Sequence, residues 1–281
     1  MNFMNLPKEY SGNKSKYCIL PIEYEGKLTA GKGVKSGSIE IIKESYRLEY
    51  YDEQFDNEAF SSGIQLLKPL KFTKKNSDTI VMKKIADEVS KHKDKFMVSI
   101  GGDHSVTIGI LKGFEKIYPD NNFSVVSFDA HADLFDSWNG SKFNHRCVSK
   151  YASYNHDVAI FGLRSLDYEE MQTIRSSQNI HAVFDYDRES RFDVLSKIKH
   201  NVYVTIDVDC FDPSFIRATG TPEPGGYSWS SMIKNLKVIF DTKNVIGIDI
   251  VEYSPTKDST AESYSLAKLI YKIISMKEFF G

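Results

Sequence analysis

The stretch Phe123-Ser-Val-Val-Ser-Phe-Asp-Ala-His-Ala-Asp133 passes from an apolar run into three ligand-type side chains set two residues apart. The run Phe123 to Phe128 reads as a buried strand. Extended backbone sends alternate side chains to one face, so the strand's end should aim Asp129, His131 and Asp133 the same way. Neighbouring carboxylates repel and resist ionisation unless a cation lies between them. Carboxylate and imidazole donors without thiolate suit Mn, Fe, Co or Zn divalent ions, in a site unlike a thiolate-rich zinc centre. Alone, the stretch also fits an acidic solvated turn, since short strings of this kind arise by accident.

Outward from it the pattern repeats. Upstream, Phe96-Met-Val-Ser-Ile100 is a strand ending in Gly101-Gly-Asp-His-Ser105, and a helix through Ile108, Leu111 and Phe114 ends before Pro119. Ser77 can cap a helix carrying Val81, Met82, Ile85 and Val89 at helical spacing. Tyr17-Cys-Ile-Leu-Pro21 is a first strand. Ser38 can cap a helix whose face is Ile41, Ile42, Ser45, Tyr46 and Glu49. Residues 52–75 are ambiguous, although 63–69 can hold a strand ended by Pro69. Gly31-Lys-Gly-Val-Lys-Ser-Gly37 is glycine-spaced but lacks the Gly-Lys-Ser/Thr ending of a phosphate cradle, so it reads as a substrate-side or interface loop.

Downstream, an irregular loop reaches Val148. Strands follow at Val158-Ala-Ile-Phe-Gly162, Ile180-His-Ala-Val-Phe184, Val202-Tyr-Val-Thr-Ile206 and Val245-Ile-Gly-Ile-Asp-Ile250. Between them, Ser165 begins a helix with Met171 and Ile174, and Phe192, Leu195 and Ile198 mark another. Ser228 caps a third, and a helix through Leu266, Ile270 and Ile274 closes the chain. Near-continuous apolar strands alternating with helices predict an α/β fold, a three-layer α/β/α arrangement around a mostly parallel sheet. No composition shift divides residues 1–281, so one domain is expected, with 1–16 as a polar lead-in. Such sheets gather ligands at the carboxyl ends of their strands.

With 281 residues, 41% hydrophobic and 26% charged, and a net charge of −2, the chain has no basic footprint for nucleic acid or a membrane surface. Three widely spaced cysteines, Cys18, Cys147 and Cys210, imply no disulfide framework. The polar start lacks a signal-peptide core, and no apolar run is long enough to span a bilayer. A reducing cytoplasm is the expected setting.

Two further strand tips carry donors. Asp207 and Asp209 again stand two apart, and His104 follows the sharp Gly101-Gly102 turn. Asp129, Asp133, Asp207 and Asp209 bring four negative charges, which one divalent ion leaves badly compensated and two neutralise.

Together, Gly101-Gly-Asp-His-Ser105, Asp129-Ala-His-Ala-Asp133, Asp207-Val-Asp-Cys-Phe-Asp-Pro213 and Asp249-Ile-Val-Glu-Tyr-Ser-Pro255 resemble the four signatures of the ureohydrolases, the arginases, agmatinases and their relatives. Thr219-Gly-Thr-Pro-Glu-Pro-Gly-Gly226 is similar to the agmatinase branch. The resemblance covers nearly the whole chain and implies the arginase/deacetylase-like fold. It implies two Mn2+ ions, with other divalent ions able to substitute. One would be held by His104, Asp129, Asp133 and Asp207, the other by Asp129, His131, Asp207 and Asp209. A close metal pair activates a water for attack on a guanidinium carbon. By the same resemblance Asp133 orients that nucleophile, Glu252 pairs with the guanidinium, and His145 carries a proton to the leaving amine.

The implied reaction releases urea and an amine, putrescine if the substrate is agmatine, as in polyamine biosynthesis. A trimer or hexamer is also implied. Departures bear on the substrate. Phe135 stands where arginase-like members place an asparagine for the amino-acid head group, which disfavours arginine. Arg146 replaces a small residue after His145. Pointing inward, it would favour a guanidino acid such as 4-guanidinobutyrate. Pointing outward, it would leave Asp136 as acceptor for the ammonium of agmatine. Ile216-Arg217-Ala218 replaces a stretch usually containing proline and glycine. Cys147 and Cys210 read as packing. Rival readings are a deacetylase-type amide hydrolase and a metal-binding relative without turnover; intact His145 and Glu252 weigh against the latter.

Overall fold

The computed structural model describes residues 2–26, 32–73 and 75–281. Gly31, the first residue of the glycine-spaced loop, lies outside them. Strand β1 (Tyr17–Glu23) is followed by helix α1 (Gly37–Glu44) and two short strands, β2 (Ile64–Leu66) and β3 (Leu70–Lys71). Then come α2 (Asp78–Val89), β4 (Phe96–Ile100), α3 (Val106–Ile117), β5 (Ser124–Phe128), α4 (Val148–Ser153) and β6 (Val158–Leu163). The rest is α5 (Tyr168–Ser176), β7 (Ile180–Phe184), α6 (Arg191–Lys197), β8 (Asn201–Asp207), α7 (Trp229–Thr242), β9 (Asn244–Val251) and α8 (Thr260–Phe280).

Every pairing between these strands is parallel, in the order β2-β1-β4-β9-β8-β5-β6-β7 with β3 joined to β1. Period-two alternation divides each strand between two cores. Tyr17 and Ile19 of β1 face the layer of α1, α7 and α8, with Ile41, Leu236 and Ile270. Cys18, Leu20 and Ile22 face α2, α3 and α4, with Ile85, Leu111 and Val148. Helices thus cover both faces, which is why β4, β5 and β6 are buried along their whole length.

Local chemistry differs from the sequence reading in several places. Ser38 does not cap α1. A 3-10 turn over Val34–Ser36 starts the helix early and leaves Ser38 inside its first turn, buried. That helix gives way to a second 3-10 turn at Ser45–Arg47, so Tyr46 swings off the buried face and is 66% exposed. Ser165 does not begin α5. Asp167 caps it, in a reciprocal box with Glu170. Ser228 caps α7 as expected, accepting from the Ser231 amide. The short helix α4 was not foreseen, since six residues carry too little periodicity.

The strands β4, β9, β8 and β5 are neighbours at the centre of the sheet. Their carboxyl ends carry the four motifs. Parallel pairing puts all four ends on the same rim.

Candidate active site and metal centre

At the end of β4 the chain turns through Gly101-Gly102. A Cβ on Gly102 would stand 1.6 Å from the Tyr24 carbonyl oxygen, so only glycine lets β1's exit and this turn pack together. The turn brings the His104 amide to Glu252 Oε1 at 2.7 Å, across to the tip of β9. The Glu252 amide in turn donates to the Gly102 carbonyl at 2.8 Å. Glu252 holds φ at +62° and Asp133 at +52°. Both are left-handed non-glycine residues, which are uncommon and cluster at functional sites. The segment 129–133 is therefore not the plain extended run expected; its last acid turns into the cavity through that φ.

The His104 ring sits between two kinds of partner. Its Nε2 lies 3.0 Å from Thr205 Oγ1, and Thr205 gives its own proton to Asp249. Asp249 also accepts from Tyr203 at 2.7 Å and Thr107 at 2.9 Å. A hydroxyl whose proton is committed can only accept, so Nε2 carries the hydrogen and Nδ1 presents a lone pair. That lone pair faces Asp133 Oδ2 at 3.2 Å, and Asp129 Oδ2 and Asp207 Oδ2 at 3.3 Å each. Among the described residues, His104 Nδ1 and Asp129 Oδ2 are buried without a hydrogen bond. Buried donor atoms that converge yet make no hydrogen bond fit a cation between them.

The second half of the site pivots on Asp129. His131 Nδ1 lies 2.9 Å from Asp209 Oδ2 and 3.7 Å from Asp129 Oδ1. The Ala130 amide donates to Asp209 Oδ1 at 3.1 Å, and the Asp209 amide to Asp207 Oδ1 at 3.0 Å, so backbone donors fix the outer oxygens. His104, Asp129 and Asp133 offer donor atoms all within 4.8 Å of one another, as do Asp129, His131 and Asp209. Asp129 is common to both groups. The residues present fit two adjacent divalent ions, and Asp207 approaches the first group through His104.

The electrostatics agree. Burial pushes Asp129 well above the carboxylate range, and repulsion from Asp133, Asp209 and Asp207 adds to it. Burial and Asp209 raise Asp207 to about 7. Burial opposes charge on His131, yet Asp209 and Asp129 hold it at about 11. Burial likewise opposes charge on His104, and the three carboxylates around it prevail. This is a basin of negative charge awaiting a cation, and a bound divalent ion inverts these shifts.

A cavity of about 240 Å³ opens on this basin, lined by His131, Asp133, His145, Asp207, Asp209 and Glu252. Burial raises Glu252 well above its ordinary value, with Asp207 and Asp103 adding to it. Burial lowers His145, against the pull of Asp133 and Asp103. Arg146 also lines the cavity, together with Asp167 and Glu170.

Asp136 stands apart from the other candidates. It does not line the cavity; its carboxylate accepts from Tyr154 at 2.6 Å and lies 3.7 Å from Lys150, on the outer surface. Phe135 and Trp138 fold their rings over Arg146, and that fold carries Asp136 outward.

Sequence reasoning missed Ser165, Asp167, Glu170, Thr221 and Arg164. Arg164 donates to the carbonyls of Gly162, Asp209 and Glu223, clamping the Pro-Gly-rich loop onto the end of β8. Glu223, in that loop, accepts from Ser165 at 2.9 Å and lies 3.6 Å from His131 Nε2. Only Asp167 and Glu170 had a local signal, the capping-box spacing.

The model of the family described as Arginase family matches residues 15–275. The chain is 33% identical over 265 residues to an agmatinase of Pyrococcus horikoshii, covering 92% of this chain and 91% of that one. It is 31% identical over 268 residues to an N(1)-aminopropylagmatine ureohydrolase of Synechocystis, covering 91% and 87%. The crystal structure of agmatine ureohydrolase of Thermoplasma volcanium superposes with a TM-score of 0.84 at 24% identity, covering 95% of this chain and 91% of that one.

Proposed function

The chain belongs to the arginase family, as an agmatinase-like hydrolase of guanidino C–N bonds, and from that premise we propose that it converts agmatine and water to urea and putrescine. We assign two divalent ions, manganese by preference, to His104, Asp129, Asp133, Asp207, His131 and Asp209. The reading is supported above all by one observation: the orphaned His104 Nδ1 and Asp129 Oδ2 face each other beside a cavity that also holds His145 and Glu252. A cation needs neither of the last two, which weighs against a binding protein without turnover.

When bound, the ion pair supplies Lewis acidity that lets water act as a nucleophile near neutral pH. The remaining steps fall to the chain's own side chains. Glu252 keeps Oε1 on the His104 amide and offers its other oxygen to the guanidinium, a planar cation suited to a carboxylate. Asp133, turned inward at +52°, accepts a proton of the attacking water and aims it at the guanidinium carbon. The C–N bond to the alkyl chain then breaks, and His145 delivers the proton that the departing amine requires. Burial favours the neutral imidazole, so the proton His145 delivers is the one drawn from the attacking water through Asp133. The balance is guanidinium plus water to urea plus alkylammonium.

The acids lining the cavity outnumber its one arginine, which supports an amine-bearing tail over a carboxylate one. Arg146 does line the cavity, the observation favouring a guanidino acid, but Asp167 Oδ2 already holds it at 2.8 Å. The cytoplasmic setting is supported by three buried cysteines, all free thiols. One continuous sheet supports a single domain over 1–281.

Urea release from manganese-loaded protein, measured over agmatine, N(1)-aminopropylagmatine, 4-guanidinobutyrate and arginine, tests the proposal. Agmatine should lead the panel, with two ions per chain by elemental analysis. No urea from any guanidine would sink it.

A further inference from the structure

Arg146 follows His145 directly, and its guanidinium is fixed on three sides. Its central carbon lies 4.3 Å from the Phe135 ring centroid and 4.1 Å from that of Trp138. Its Nη2 lies 2.8 Å from Asp167 Oδ2, and its amide is held by the Asn144 side chain at 3.1 Å. Stacking on two rings and one carboxylate leaves a long side chain little freedom, so the charge stays in one place. The side chain remains 25% exposed, on the cavity wall. Among the described residues lining the cavity it is the one permanently cationic side chain.

Two consequences follow from charge alone. Asp167 is paired with Arg146, and although its side chain is 60% exposed it offers a cationic tail less than a lone carboxylate would. A substrate's tail ammonium also meets a like charge on the cavity wall. We propose that Arg146 is a specificity-determining residue that sets substrate choice by tail charge, holding down the preference for amine-tailed guanidines over uncharged ones. This rests on the guanidine-hydrolase reading and concerns only the tail.

The test compares agmatine with butylguanidine, which has the same length and no ammonium. The ratio of their kcat/KM values is measured in the manganese-loaded wild type, Arg146→Ala, Arg146→Lys and Asp167→Asn. Arg146→Ala, which frees Asp167, should raise the ratio about tenfold, roughly 1.4 kcal/mol. Arg146→Lys keeps the charge and should stay within about threefold of wild type. Asp167→Asn leaves the arginine uncompensated and should lower the ratio; it carries the test if the alanine variant fails to fold. An unchanged ratio in Arg146→Ala or Asp167→Asn, or a lysine variant that shifts as far as alanine, overturns the proposal.

Calorimetric titration of chelator-treated protein with the same two guanidines reads the same ratio from binding. If the wild type releases no urea from any guanidine, the hydrolase reading falls. The binding ratio then still decides whether Arg146 selects by charge.

Discussion

Thr205 carries one hydroxyl, and the tautomer of His104 depends on where its proton goes. Asp249 is fully buried and takes that proton along with those of Tyr203 and Thr107, so Thr205 must accept from Nε2. Partners of this kind orient a metal-binding imidazole, and their loss typically costs ~10- to 100-fold in metal affinity. Thr205→Val should therefore weaken one of the two ions by about that much and spare the other, while Thr205→Ser restores both. Calorimetric titration of manganese into chelator-treated protein measures this; equal weakening at both sites would show that the effect is general loosening. Asp249 stood out in the sequence as the head of a motif, but its task could not be read there. Its partners lie 44, 46 and 142 positions away, and no local spacing encodes a contact across two strands and a helix. The candidate metal donors were legible for the opposite reason. Each sits at the end of an apolar run, where charge has no structural use. Asp136 looked like an acceptor for a substrate ammonium because it follows them closely, and the stacking of Phe135 and Trp138 around Arg146 was invisible to that logic.

Strands were easier to read than helix starts. β4 and β7 begin and end where expected, and in β4 burial along the whole strand demands an unbroken apolar run. Helix starts hinge on which of several polar residues points at the first turn, so Ser165 lost to Asp167 and Ser38 to a 3-10 turn. The final helix shows another feature that periodicity hides. Lys272 lies on α8 with its side chain only 2% exposed, and its ammonium lies 2.8 Å from Asp52 Oδ1. Asp52 Oδ1 also accepts from the amides of Gln54 and Phe55, so one carboxylate shapes the 52–57 turn and anchors it to α8. Among the described residues, removing Asp52 leaves the buried Lys272 ammonium only the Glu53 carboxylate, at 3.3 Å and largely exposed. Asp52→Ala should cost about 3–5 kcal/mol in denaturant unfolding, whereas replacing both partners by apolar residues of similar volume should cost far less. Equal losses in the single and double variants would mean that the turn's hydrogen bonds, and not the ion pair, carry the stability.

The fold and the metal centre meet in a common energetic problem. Four adjacent strands are held together at their centre, yet their carboxyl ends press Asp129, Asp133, Asp207 and Asp209 into one buried volume. Without cations the folded chain relieves the repulsion by holding protons. Asp207 moves from 3.8 to about 7, so it binds protons in the folded state that the unfolded chain has released, and its contribution to stability is lost as pH rises from about 4 through 7. Burial raises Asp129 and Glu252 too, so their contributions are likewise lost as pH rises. His131, shifted from 6.5 to about 11, stabilises below 6.5 and loses that contribution on the way up to 11. Asp209 alone among these is lowered, and its window lies below 3.8. His145, lowered by burial, runs the other way below 6.5, but the raised groups outnumber it: chelator-treated protein should lose thermal stability between pH 5 and 8. Manganese replaces those protons, so its binding strengthens as they leave. At a free concentration 100 times its dissociation constant, each ion adds about 2.7 kcal/mol. The gain in melting temperature on adding manganese should therefore be several degrees at pH 8, smaller at pH 5, and abolished by chelator at both. Differential scanning fluorimetry across that range reads the effect directly. A gain independent of pH would mean that the ions do not displace protons from these carboxylates, and that the basin at the strand tips is not where they bind.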